Sequence, residues 1–85
     1  MQLYAGIDLH SNNNYLAIID EYYQRVYQKR LPNEPDVLLA ELAPFQEKLV
    51  GTTVESTFNW YWLVDALMDN GYTTHLANPA AIQIY

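Results

Sequence analysis

The chain has 85 residues, no cysteine, and ten acidic against four basic side chains, for a formal net charge of −6. That length suits one small domain or one piece of a larger one, and a 51% hydrophobic content is too high for a disordered chain. The missing thiols exclude disulfide and thiolate-zinc frameworks, the apolar runs fall far short of the roughly 20 residues that span a bilayer, and the charge makes the isolated unit a poor partner for nucleic acid.

Met1 to Gly6 carries no basic leader and no cleavage signature, so a cytoplasmic location is expected. No repeat, low-complexity tract or linker divides the chain, and residues 1–85 are read as a single domain.

Leu3 to Leu9 reads as a short apolar strand, with Gly6 allowing close backbone approach. Ser11-Asn12-Asn13-Asn14 is a turn cluster, because Asn bonds its own main chain and tolerates left-handed angles. Tyr15 to Ile19 resumes the β pattern, and Asp20-Glu21 marks a second turn. Tyr23 to Leu31 is a third strand. Its Arg25, Lys29 and Arg30 suit an exposed edge, where charge discourages pairing between sheets.

Pro32 to Pro35 breaks the strand, with Asn33 a candidate N-cap and Glu34 and Asp36 favouring a helix start. Leu38, Leu42, Phe45 and Leu49 form one helical stripe, which Pro44 should kink or end. Val50 to Glu55 reads as a buried strand. Asn59 to Asn70 is the strongest helix, with Trp60, Leu63, Ala66 and Leu67 on its apolar face and Asn70-Gly71 as the C-cap. Tyr72 to Ala77 is a last strand, stopped by Asn78-Pro79. Three strands joined by tight turns form an antiparallel meander, and the later β–α–β connections demand parallel pairing. The expected fold is α/β: a five-stranded mixed sheet with helices packed on it and the third strand at one edge.

Asp8 and Glu55 are the informative pair. Each closes a strand, and sites in open α/β sheets lie outside the carboxyl ends of strands. Two adjacent carboxylates repel unless they share a proton or a cation. A carboxylate pair with phosphate oxygens suits divalent metal and phosphoryl transfer. A solvated strand end explains either residue as well. His10 shares the face of Asp8 if the strand continues, although a rim histidine is the simpler reading. His75 suits packing or a surface hydrogen bond. Of Trp60, Tyr61 and Trp62, about one should stay exposed, and Asp65 with Asp69 suits a solvated helix face.

Tyr4-Ala5-Gly6-Ile7-Asp8-Leu9-His10-Ser11 resembles the opening of the DEDD transposases, the RuvC-like recombinases of the bacterial insertion-sequence class one hundred and ten, which are related to Piv-type DNA invertases. Val54-Glu55-Ser56-Thr57-Phe58-Asn59-Trp60-Tyr61-Trp62 resembles their second motif, and His75-Leu76-Ala77-Asn78-Pro79-Ala80 the strand and Asn-Pro that follow. The resemblance spans nearly the whole chain. It implies an RNase H-like fold and a four-carboxylate site binding Mg²⁺ or Mn²⁺, with Asp8 and Glu55 as catalytic metal ligands. The second carboxylate pair would fall beyond Tyr85, so the chain is expected to be an N-terminal portion, truncated before the C-terminal helices and inactive alone. DNA, a guide RNA and a homo-oligomeric assembly are the partners the resemblance implies.

Two other readings stand beside it. One is a non-catalytic RNase H-like module that dimerises or docks. The other is a fragment of an actin-like or sugar-kinase-like ATPase, because such chains also open with Gly-Ile-Asp before a hairpin. Here the hairpin turn lacks the glycine that lets N–H groups cradle phosphate. Proofreading exonucleases of the DEDD type carry Asp-x-Glu where this chain has Asp8-Leu9-His10.

Overall fold

Alternation of side chains along the first strand builds the molecule. The computed structural model describes residues 1–56 and 60–77. In β1 (Leu3–Leu9), Leu3, Ala5, Ile7 and Leu9 are buried while Tyr4, Gly6 and Asp8 face outward. That period of two is the signature of a strand covered on one face. β2 (Asn13–Asp20) repeats it, with Leu16 and Ile18 wholly buried. β3 (Arg25–Pro32), β4 (Leu49–Glu55) and β5 (Thr74–Ala77) complete a five-stranded sheet in the order β3-β2-β1-β4-β5. β1 pairs antiparallel with β2 and parallel with β4, β2 pairs antiparallel with β3, and β4 pairs parallel with β5. The meander, the parallel βαβ unit and the β3 edge are therefore as expected from the sequence.

Helix α1 (Pro35–Leu42) contributes Leu38 and Leu42 to the core, and α2 (Tyr61–Asp69) contributes Leu63 and Leu67. All four pack with the inward residues of β1, β2 and β4, so both helices cover the same face. Burying each such leucine contributes roughly 1.5–3 kcal/mol. Leu38 and Leu42 lie four apart, as do Leu63 and Leu67, so each pair is one helical stripe. Pro44 ends α1 as its chemistry dictates, and Ala43–Phe45 is a single 3-10 turn. α2 stops in a Schellman turn. Gly71 adopts φ 87°, the Tyr72 N–H donates to the Leu67 carbonyl at 3.0 Å, and the Gly71 N–H donates to the Met68 carbonyl at 3.1 Å.

Three local expectations need correction. Asn13 and Asn14 belong to β2, and the turn shrinks to Ser11-Asn12, closed by the His10 N–H donating to the Asn13 carbonyl at 2.8 Å. Asn33 is not the N-cap of α1. Glu34 holds that position without a side-chain cap bond, because the Asn33 side chain is engaged with the β1–β2 hairpin. β4 is not buried on both faces: Val50 and Glu55 are exposed, and only Thr52 and Val54 are sealed. The expected start of α2 at Asn59 and the Asn78-Pro79 stop lie outside the described residues; the helix is described from Tyr61, with Trp60 as N-cap. Among the described residues, no helix is long and apolar enough to cross a membrane.

Candidate functional site

The sheet register brings Asp8 and Glu55 together. Tyr15 is directly opposite Asp8 on β2, and Asp8 is paired with Glu55 on β4. The first and fourth strands run parallel, so both carboxylates reach the same rim. They share the face that α1 and α2 leave uncovered among the described residues, and with Gly6, Ile7, Tyr15, Ala17 and Thr53 they line one open cavity of about 250 Å³. A second hollow of about 270 Å³ continues down the same face, lined by Tyr4, Ala5, Gly6, Ala17, Ile19 and Thr53. The small row Ala17, Gly6 and Thr53 forms the floor common to both, and a Cβ added at Gly6 would meet no atom within 4 Å.

His10 lies beside the pair. Its Nε2 is 3.2 Å from Asp8 Oδ2, and both side chains are more than half exposed. β1 ends at Leu9, so the strand does not continue through His10, and the exposed imidazole reaches Asp8 as a rim histidine. Among the described residues no third acidic or histidine group joins Asp8 and Glu55 to make a cluster of metal-ligand type. Two hard oxygen donors still fit a Mg²⁺-like ion, which usually takes only one or two carboxylates from protein and fills its remaining positions with water and phosphate oxygens.

The rim is fixed from beneath by two asparagines whose role is not apparent from the sequence. Asn14 is fully buried on the opposite face of β2. Its Nδ2 donates to the Pro32 carbonyl at 3.2 Å and to Asn33 Oδ1 at 3.1 Å. The Asn33 Nδ2 in turn donates to the His10 carbonyl at 2.8 Å. This chain of bonds ties the end of β3 to the turn that follows Asp8. The available signal was the two-residue turn itself. Once Ser11-Asn12 is the tip, pairing runs back from it to place Asn14 beside Leu9 and Tyr15 beside Asp8.

The other sequence candidates disperse. His75 is exposed on β5 next to Thr53, two residues along β4 from Glu55. Tyr61 is the exposed member of the aromatic triplet and stacks on Trp60 at 4.1 Å, while Trp60 and Trp62 pack against the core. Asp65 and Asp69 are both exposed. The basic cluster splits. Lys29 Nζ lies 3.4 Å from Glu41 Oε1 on α1, and Arg25 donates to the Gln28 side chain. Arg30 has no side-chain partner among the described residues and stands opposite Tyr15. Tyr27 donates to Glu41, and burial followed by that bond pushes its hydroxyl up to about 12. Glu41 is held below its ordinary value by the Tyr27 hydroxyl first and by Lys29 second.

No protein-family profile matches the chain, and no curated protein sequence does either. Solved structures do. An Aquifex aeolicus PPX-GPPA enzyme superposes with a TM-score of 0.58 at 14% identity, covering 92% of this chain and 36% of its own. Another structure, of the Aquifex aeolicus member of the Ppx/GppA family, gives 0.56 at 14% identity, covering 92% and 35%. A ROK family protein from Streptococcus pneumoniae TIGR4, solved with sucrose, gives 0.52 at 17% identity, covering 91% and 34%. At these identities the likeness shows the fold alone. This chain spans little more than a third of the length of those structures.

Proposed function

We propose that Asp8 and Glu55 are two ligands of a divalent-metal phosphoryl-transfer site, and that the protein is the N-terminal part of an RNase H-like DNA transposase or recombinase of the DEDD kind. The observation that carries this reading is the register pairing of Asp8 with Glu55 at the parallel β1/β4 rim, inside one open cavity. In the sequence resemblance, the first Asp and the Glu fall at these same two positions. A bound Mg²⁺ or Mn²⁺ would supply charge stabilisation for the attacking and leaving oxygens of a phosphodiester. The chain's own residues do the rest. Asp8 and Glu55 present oxygens on strands fixed by backbone pairing, and His10 Nε2 lies 3.2 Å from the Asp8 carboxylate. On this reading the remaining carboxylates and most of the surface for DNA and any guide RNA would belong to the longer parent protein.

A nucleotide-handling unit of the actin-like ATPase kind is the second reading, favoured by the likeness to the Ppx/GppA and ROK structures. The hairpin argues against it. Neither Ser11 nor Asn12 takes a positive φ, so the tip lacks the αR–αL pair of N–H groups that forms a phosphate nest.

The test is Mn²⁺ affinity by electron paramagnetic resonance in wild type, Asp8→Asn, Glu55→Gln and the double variant. A shared site predicts that each single change lowers affinity at least tenfold and that the double change adds little, because groups that act as a unit are not additive. Independent, small effects would show that the two carboxylates do not hold one ion.

A further inference from the structure

Arg30 is the one arginine at the carboxylate rim among the described residues. Strand alternation decides its direction: Leu31 is buried under the helices, so Arg30 projects to the opposite, bare face. The register then lines up Arg30 on β3, Tyr15 on β2, Asp8 on β1 and Glu55 on β4 in one row across the sheet. Neighbouring strands lie about 4.8 Å apart, so the β3 backbone at Arg30 is about 10 Å from Asp8, with only Tyr15 between. In a chain of net charge −6, this guanidinium has no acidic or hydrogen-bonding partner among the described residues.

Its neighbours in sequence do not share that position. Lys29 turns to the helical face and pairs with Glu41. Arg25 pairs with Ile19, at the opposite end of β3 from the rim, and is bonded to Gln28. Edge protection would be served by any of the three, since charge anywhere on an edge strand discourages pairing. It does not account for an unpaired guanidinium in the same row as two carboxylates. A planar fork of N–H donors is the side chain suited to gripping a phosphate in two places.

We propose that Arg30 is a phosphate-positioning residue: it holds one backbone phosphate of a nucleic-acid strand while a nearby phosphate of that strand sits at Asp8 and Glu55. This rests on the metal-site reading above and names how the substrate lies on it. The strand crosses the sheet along the row, over Tyr15, perpendicular to the β strands. Arg30 touches no reacting atom. It fixes which phosphate reaches the carboxylates.

The experiment uses the chain with saturating Mg²⁺ and a short single-stranded oligonucleotide, with binding measured over a series of salt concentrations. For single strands, log affinity falls against log salt with a slope of about 0.7 for every phosphate neutralised. Arg30→Gln should weaken binding several-fold and make the slope shallower by about that amount. Arg30→Lys should keep the slope, whereas Arg25→Gln and Lys29→Gln should match wild type. An unchanged slope in Arg30→Gln, an equal loss in Arg25→Gln, or no binding of the oligonucleotide would overturn the proposal. So would a response of the Arg30 side-chain N–H to ATP with none to the oligonucleotide. Mn²⁺ binding at Asp8 and Glu55 without oligonucleotide is read separately, so failure of this assignment is distinct from failure of the metal site.

Discussion

At the residue scale, Asn14 shows how a buried side chain can fix the rim that carries Asp8. It is wholly buried, and its amide nitrogen serves Pro32 and Asn33. Its Oδ1 has no hydrogen-bond partner among the described residues, so the residue is retained at a cost. A flip of the amide would not help, because it would set oxygen against the Pro32 carbonyl and Asn33 Oδ1. Asn14→Ala should therefore lower stability by about 1–3 kcal/mol, the usual penalty for stranding buried groups, in a urea melt. Asn33→Ala should cost less, since its bond to His10 is exposed to water. Equal losses would mean that the clamp acts through Asn33 alone. The sequence showed three adjacent asparagines and a turn, and local propensity could not tell the two strand residues from the tip. Only pairing with β1 and β3 separates them.

At the element scale, the edge strand β3 is held to α1 by Tyr27, Lys29 and Glu41, with Tyr27 also packed against Phe45 at 5.5 Å. The pH dependence follows from the two shifts. Glu41 is lowered from an ordinary 4.5, so its contribution is present above about pH 4.5 and is lost as pH falls through the folded value. Tyr27 is raised from 10.0 to about 12, so its contribution is present below pH 10 and is lost between there and about 12. Tyr27→Phe should shrink the alkaline loss to the part due to Tyr72 and flatten the acid loss to the part due to Lys29, in thermal melts across pH. An alkaline limb unchanged in Tyr27→Phe would assign it to Tyr72, whose hydroxyl burial also raises. The strands and both helices were legible because leucine spacing and β-branched runs are local signals. The Tyr27–Glu41 contact was not, since it joins residues in different elements. The role of Asn33 was misread for the same reason: its bonds run to His10 and Asn14 rather than to its own helix.

At the scale of the whole molecule, the covered and bare faces divide the work. One face carries both helices and the leucine core, and the other carries the two carboxylates, Tyr15, Arg30 and a floor of small residues. Asp8 and Glu55 were legible as strand ends, and their adjacency followed once the first and fourth strands were parallel neighbours. Arg30 was hidden in a cluster of three cations that the register assigns to three different surroundings. The parallel β1/β4 pairing brings Asp8 and Glu55 to one rim, where the proposed divalent ion would be shared. The measurement that tests that sharing most directly is an amide NMR spectrum of the wild-type chain with a trace of Mn²⁺. An ion shared by the two carboxylates predicts paramagnetic broadening centred on Asp8, Glu55 and Tyr15 and absent in Asp8→Asn. Broadening that instead follows exposed acids such as Asp65 and Asp69, or that survives in Asp8→Asn, would contradict it.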